Sequence, residues 1–177
     1  MPRRARIALS EWMILGGILL IIFSLVACSY WMWTIRRTKL MVQTDFGRIE
    51  RACGRYLKQY KKMPMELDVY YDFHFGLSYD LPNSYVINAL RGVPGEGNAE
   101  GQMNPDYADF LKVNPYATGR SGIDVDGNFL DPWGNPYQII LDLDGNRICD
   151  MAESVHDRAL GKMVASWSFG PDQQPNT

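Results

Sequence analysis

The sequence predicts an α+β fold in which one long N-terminal helix packs against a small antiparallel β-sheet. Three observations lead to this prediction. Residues 12–35 form an apolar run, residues 36–63 continue it with helical periodicity, and residues 129–177 contain short β-prone segments separated by turn signals. The chain has 177 residues, which suits one compact domain with a modest appendage.

The apolar run predicts a transmembrane helix. It reads WMILGGILLIIFSLVACSYWMWTI and contains no charged residue. About 20 apolar residues are enough to cross the hydrocarbon core of a bilayer. Trp12 lies at one end and Tyr30, Trp31 and Trp33 lie at the other, where amphipathic rings favour the membrane–water boundary. Basic residues flank the run on both sides, so their distribution does not fix its orientation.

The same helix is predicted to continue beyond the span as an amphipathic segment over residues 36–63. Its apolar positions recur at steps of three and four residues, and the intervening charged residues would face water. The stripe consists of Val42, Phe46, Ile49, Cys53, Tyr56, Leu57 and Tyr60. Pro64 ends the pattern, because proline disfavours helix at the preceding residue. We therefore expect one helix of about 50 residues, preceded by a leader-like segment over residues 1–11.

The rest of the chain is predicted to form a head. Residues 64–128 are rich in Gly, Pro and Asn, which predicts irregular structure interrupted by short helices at residues 84–90 and 106–113. In PYQIILDLDGNRI, two strands are expected around a hairpin at Asp144-Gly145. VASWSF, residues 164–169, predicts another strand, and Asp126-Gly127 predicts a second tight turn. The sheet, within residues 129–177, would cover the helix stripe.

Composition and motifs narrow the function classes. With 18 Lys and Arg against 20 Asp and Glu, the chain lacks the basic excess of a nucleic-acid-binding protein. His74 and His156 form no metal-binding pattern, and no nucleophile motif is present, so we do not expect an enzyme. A hydrolase would need a polar cleft centred on His74. The series Asp142, Asp144 and Asn146 fails the EF-hand pattern, because Gly145 precedes the third ligand.

Four stretches of the sequence resemble the pilin and pseudopilin family. ALSEWMILGGILLII is similar to the pilin N-terminal segment, and TDFGRIERACGRYLKQYKKMP is similar to the exposed half of a pseudopilin helix. The stretch FLDPWGNPYQI, residues 129–139, resembles the head block of the major pseudopilin of type II secretion systems, and SWSFGPD, residues 166–172, resembles its closing strand. The block itself consists of Asp131, Pro132, Trp133, Gly134, Asn135, Pro136 and Tyr137. We interpret it as structural, with Trp133 filling the core against the helix.

This resemblance implies a pilin-like fold and a structural subunit of a pseudopilus or a type IV pilus-like filament. The subunit would wait in the bacterial inner membrane as a single-pass protein with its head in the periplasm. Its partners would be copies of itself, related pseudopilins and an inner-membrane assembly platform. Glu11 would set the register of assembly by pairing with a neighbouring subunit's N-terminal amine, and Gly16 and Gly17 would allow close helix packing. Alternatively, Glu11 lies among lipid headgroups.

The sequence also departs from the family pattern. With Glu11 as the fifth mature residue, processing would follow Arg6, where the family has Gly, and Ile7 would carry the N-methyl group. Asp172 matches the first ligand of the family's calcium site, but only QQPNT follows it, so calcium and other cofactors are not expected.

The alternative function is a membrane-anchored or lipidated periplasmic binding module with a pilin-like head that does not polymerise. Leu25-Val26-Ala27-Cys28 resembles a lipobox, with Cys28 as the lipidated residue. A disulfide between Cys53 and Cys149 remains open from the sequence.

Overall fold

The computed structural model describes residues 9–65, 71–76, 81–149 and 161–173. The chain divides into two compact units, Met1–Lys39 and Leu40–Thr177. Residues 1–8 of the leader-like segment, which include Arg6 and Ile7, lie outside the described residues.

Helix α1 spans Leu9–Tyr60 and is assigned without interruption. The absence of proline between residues 12 and 63 allows this length, and the helix ends three residues before the predicted boundary. Lys61 follows with a positive φ of 59°, in the left-handed conformation that closes many helices. The predicted continuity of the helix is therefore confirmed.

The second unit contains the head. Its elements after α1 are β1 (Phe73–Phe75), α2 (Ser84–Arg91), a short 3₁₀ helix (Ala99–Gly101), β2 (Gly122–Ile123), β3 (Phe129–Leu130), β4 (Gln138–Leu141) and β5 (Val164–Trp167). The order in the main sheet is β1-β4-β5, and both pairings are antiparallel. The strands β2 and β3 form a separate antiparallel pair. The fold is thus α+β, with one long N-terminal helix and a small antiparallel sheet, as predicted.

The core forms between the stripe of α1 and one face of the main sheet. Ile49, Cys53 and Tyr56 are fully buried, and they belong to the same apolar cluster as Phe75 and Ile139. The opposite face of the sheet carries a second cluster that includes Ile140, Ala165 and Trp167. Both faces are covered, and this explains why all residues of β4 are buried.

Three local predictions were correct. The helix predicted at residues 84–90 is α2, which ends at Gly92 in the left-handed conformation with φ 65°. The strand predicted at residues 164–169 is β5, two residues shorter at its end. The turn at Asp126-Gly127 connects β2 and β3, which pair antiparallel.

Other local predictions were wrong. Asp144-Gly145 lies in a turn, but β4 pairs with β1 and with the distant β5, so no hairpin forms there. Residues 106–113 form no helix, because the amides of Phe110 and Leu111 donate to the carbonyl of Leu90 at 2.9 and 3.1 Å. The main sheet is not confined to residues 129–177, since its strand β1 comes from the region predicted to be irregular.

Buried asparagines hold the irregular region in place. Asn83 donates to the carbonyls of Phe129 and Tyr137 at 2.9 and 2.8 Å and accepts from the amide of Phe129. Asn104 donates to the carbonyls of Ala89 and Ala108. In a strand or helix, these backbone groups would form hydrogen bonds with other backbone groups. Here the asparagine side chains form those hydrogen bonds instead, so the buried backbone groups are satisfied.

Candidate functional site

The apolar part of α1 is the first candidate site. Among the described residues it is the one helix that is long and apolar enough to cross a membrane. N-terminal signal sequences also meet these requirements of length and composition. Its large side chains are exposed, including Trp12, Leu20 and Phe23. An exposed apolar surface of this extent is typical of a segment that lies in lipid or packs against other apolar helices.

Gly16 and Gly17 interrupt this apolar surface with two positions that lack side chains. A Cβ atom added at either residue would have no atom within 4 Å, so their smallness serves no packing within the described chain. Glu11 is exposed in the first turn of α1, just before Trp12. These three predicted assembly residues therefore lie within seven positions of one another at the start of the helix.

Aromatic and basic residues mark the other end of the span. The rings of Tyr30 and Trp33 lie 6.2 Å apart, and the guanidinium of Arg37 lies 5.4 Å from the centre of the Trp33 ring. A cation over an aromatic face is a favourable contact. The hydroxyl of Thr34 donates to the carbonyl of Tyr30 at 2.8 Å, which keeps this polar group satisfied in the helix.

Asp45 is the most buried charged residue of the helix–head contact. It is 1% exposed, and its carboxylate accepts hydrogen bonds from Ser121, from Tyr137 at 3.1 Å and from Arg48 at 3.2 Å. Burial, followed by the nearby Asp45 charge, raises the pKa of the Tyr137 hydroxyl well above its ordinary value. Tyr137 therefore stays protonated and donates its hydrogen bond at every physiological pH.

The sequence pattern did not predict this contact. Asp45 lies three residues after Val42 and four before Ile49, so it occupies the apolar stripe itself. A charged residue at a core position is the signal that could have identified it, because burial of a carboxylate requires several hydrogen-bond donors.

The DPWGNPY block is a hydrogen-bonded turn. The carboxylate of Asp131 accepts from the amides of Trp133 and Asn135, both at 2.9 Å, and from the Ser168 hydroxyl at 2.5 Å. The side chain of Asn135 donates to the carbonyl of Gly170 at 2.8 Å. The block thus ties β3 and β4 to the segment after β5, which agrees with a structural role.

One packing prediction within the block was wrong. Trp133 is 39% exposed, whereas Tyr137 is fully buried against Phe129, with ring centres 4.8 Å apart. The amide of Gly134 donates to the carbonyl of Asp131, so Trp133 lies at the tip of a tight turn and projects away from the core. Tyr137, on the strand side of the turn, fills the core instead.

A group of three carboxylates lies on the head. Ligand atoms of Asp72, Asp142 and Asp144 lie within 4.8 Å of one another, although Asp72 is distant in sequence. The two oxygens of Asp142 accept from the amides of Gly145 and Arg147 at 2.8 and 2.7 Å, so this carboxylate organises its own loop. Asp172, the residue matched to the family's calcium site, is exposed and does not belong to this group.

His74 lies inside the head and not at an open surface. It is 4% exposed on β1, and its ring packs at 4.7 Å against Trp167. Burial lowers its pKa to about 4, partly opposed by a hydrogen bond with Gln138. The cleft that a hydrolase centred on His74 would need is therefore not found at this residue, and His156 lies outside the described residues.

The three cysteines are free thiols. Cys28 is exposed within the apolar part of α1, which continues through it without a break. Cys53 and Cys149 are buried in different apolar clusters, so the disulfide left open by the sequence is not formed. Burial raises the pKa of Cys53 to about 12, which keeps this thiol protonated and unreactive.

Comparisons with protein families, with curated proteins and with solved structures found no match.

Proposed function

We propose that this chain is a pilin-like structural subunit of a type II secretion-like pseudopilus or a type IV pilus-like filament. One observation carries the proposal. Helix α1 extends from an exposed apolar segment into the core of the head, where Ile49, Cys53 and Tyr56 are fully buried. Such a helix can pack against its copies with its first half while its second half carries a folded domain.

The first half of α1 has the properties that assembly needs. Apolar helices in lipid associate through close packing, since lipid provides no hydrophobic driving force between them. Gly16 and Gly17 leave their surface open, and no residue of the described chain fills it. A carboxylate at Glu11, beside the apolar run, gives neighbouring copies a charge to pair with. Membrane helices of copies would replace lipid as the surroundings of this surface.

The head would provide the outer surface of the filament and remain rigid during assembly. Asp45 joins α1 to the β2 and β4 regions through Ser121 and Tyr137. The hydroxyl of Tyr56 also donates to the carbonyl of Met103 at 2.5 Å. Force applied to the helix would therefore reach the head through buried hydrogen bonds as well as apolar contacts.

Cysteine scanning tests the proposal. In a Cys28→Ala background, single cysteines are placed at positions 13–26 of the full chain in its native membrane, and oxidative dimer formation is measured. We expect maxima that recur every three to four residues and include the Gly16–Gly17 face, because helices pack through one side. Equal, background-level dimer formation at all positions would contradict helix-mediated assembly.

Mass spectrometry of the mature N-terminus distinguishes the filament subunit from the alternative function, a membrane-anchored binding module. A methylated Ile7 supports the filament subunit, whereas a lipid on Cys28 supports the anchored binding module. An intact start at Met1 or Pro2 would identify a degenerate relative of the family that is not processed.

A further inference from the structure

The head carries a basic groove along the exposed side of α1. Its volume is about 680 Å³, and its walls come from one face of the helix and from residues 109–112. Five basic side chains and one acidic side chain line it, which gives the lining a net charge of +4. The charged lining consists of Arg48, Arg51, Arg55, Lys58, Lys112 and Asp109.

Most of this charge is not neutralised within the described chain. Arg48 pairs with Asp45, and Arg55 donates to the carbonyl of Phe110. Arg51 donates from its Nε to the carbonyl of Gly47 on its own helix, at 2.7 Å. Neither Lys58 nor Lys112 makes an ion pair with any other residue that the structure describes. The groove is therefore a basic surface that is open to an acidic partner.

An acidic turn of complementary charge lies on the same head. A shallow depression separates it from the groove, and this depression shares Arg48 and Lys112 with the groove and Arg91 with the surroundings of the turn. The turn that connects β2 and β3 exposes Asp126, and its tip residue Val125 is 100% exposed. The depression around it has a net charge of −2, because one basic side chain faces three acidic ones: Arg91 against Glu96, Asp124 and Asp126. A fully exposed valine between two aspartates has no role in the packing of its own head.

The turn is rigid before it meets a partner. The carboxylate of Asp124 accepts from the amides of Asp126 and Asn128 at 2.9 and 2.8 Å and from the Asn128 side chain at 3.2 Å. Gly127 adopts a positive φ of 86°, which closes the turn. Little conformational entropy would be lost when such a turn binds, so Val125 and Asp126 are presented at low cost.

We propose that the basic groove of one copy receives the acidic turn of a second copy of this chain. Asp126 would lie between Lys58 and Arg51, and Val125 would contact the aliphatic stems of these side chains. The groove and the depression around the turn share no lining residue. Each copy can therefore offer its groove to one neighbour and its turn to another. A head-to-tail contact of this type repeats into an open helical filament when the rotation between copies does not close a ring. The inference rests on the proposed filament function and specifies its contact between heads.

A charge exchange tests the contact in the full chain, in membranes, with two differently tagged copies. Lys58→Glu in both copies, or Asp126→Lys in both copies, should reduce the capture of one copy by the other by roughly threefold to tenfold. When one copy carries Lys58→Glu and the other carries Asp126→Lys, the acidic groove of the first copy attracts the basic turn of the second. Capture between these two copies should therefore recover. Arg120→Glu and Glu100→Lys are the matched controls, because both positions are exposed and line neither surface.

A disulfide between copies provides an independent measurement. In the Cys28→Ala background, one copy carries Lys58→Cys and the other carries Val125→Cys, and mild oxidation should link the two tags. The pair Arg120→Cys with Glu100→Cys should not link. If wild-type copies capture each other while the charge reversals have no effect and the 58–125 disulfide does not form, the groove proposal is overturned and the filament function stands. If wild-type copies do not capture each other at all, both proposals fail.

Discussion

The hydroxyl of Tyr137 donates a hydrogen bond of 3.1 Å to the carboxylate of Asp45, a residue that precedes it by 92 positions. This contact joins the DPWGNPY block to the helix that carries the apolar span. We expect Asp45→Ala to destabilise the head by about 2 to 3 kcal/mol, because the hydroxyls of Tyr137 and Ser121 would lose a charged acceptor in a buried site. Chemical denaturation of the full chain in detergent micelles, followed by near-ultraviolet circular dichroism, measures the change.

A double-mutant cycle isolates the contact itself. Tyr137→Phe removes the hydroxyl and keeps the ring, so it should cost about 1 to 2 kcal/mol. The combined variant Asp45→Ala with Tyr137→Phe should cost less than the sum of the two single changes. Strict additivity would show that the two side chains do not interact.

Two aromatic residues of one motif should respond differently to truncation. Tyr137 is fully buried, and we expect Tyr137→Ala to cost about 3 to 5 kcal/mol through the cavity that it leaves. Trp133 is 39% exposed at the tip of its turn, and Trp133→Ala should cost less than about 1 kcal/mol. The same unfolding measurement compares them, and an equal loss from both variants would contradict the packing described above.

The stability of the head should fall between pH 6.5 and pH 4 because of His74. Burial lowers the pKa of this histidine from 6.5 to about 4, so between these values the unfolded chain binds more protons than the folded chain. The folding stability that comes from neutral, buried His74 is fully present above pH 6.5 and is lost as the pH falls toward 4. The total loss is on the order of 3 kcal/mol. Unfolding curves of the wild type and His74→Phe at several pH values measure it. The variant should show a shallower loss over this interval, and identical slopes would mean that His74 titrates normally.

A larger side chain on the Gly16–Gly17 face should weaken the association of copies without weakening helix α1 itself. Gly17→Leu adds a side chain where no atom lies within 4 Å, and it replaces a poor helix former by a good one. We expect unchanged or higher helicity by far-ultraviolet circular dichroism, together with a clear loss of dimer cross-linking in membranes. Val26→Leu is the control, since it changes one large exposed side chain into another. Undiminished cross-linking of Gly17→Leu would remove this face from the assembly contact.

The sequence was most informative where a single local signal determines structure. The proline-free periodic run predicted α1, and the apolar stripe predicted the buried side of the helix, as the burial of Ile49 and Tyr56 shows. The turn before β3 was found because Asp126-Gly127 separates two short apolar segments. In these cases neighbouring residues alone fix the outcome.

Partners that are distant in sequence could not be predicted in this way. The hairpin expected at Asp144-Gly145 did not form because β4 pairs with β5, which begins more than 20 residues after β4 ends. Asp72 joins Asp142 only through the pairing of β1 with β4. The buried position of Asp45 depends on Ser121 and Tyr137, and no local pattern links these three residues.

Electron microscopy of the assembled chain tests the central proposal most directly. Cells that make the full chain together with its own assembly machinery are sheared, and released material is labelled with an antibody against the head. We expect thin filaments that carry the label along their length and that are lost with Gly17→Leu. Retention of all the protein in the membrane as single copies, with no labelled filament and no capture between tagged copies, would contradict the proposal.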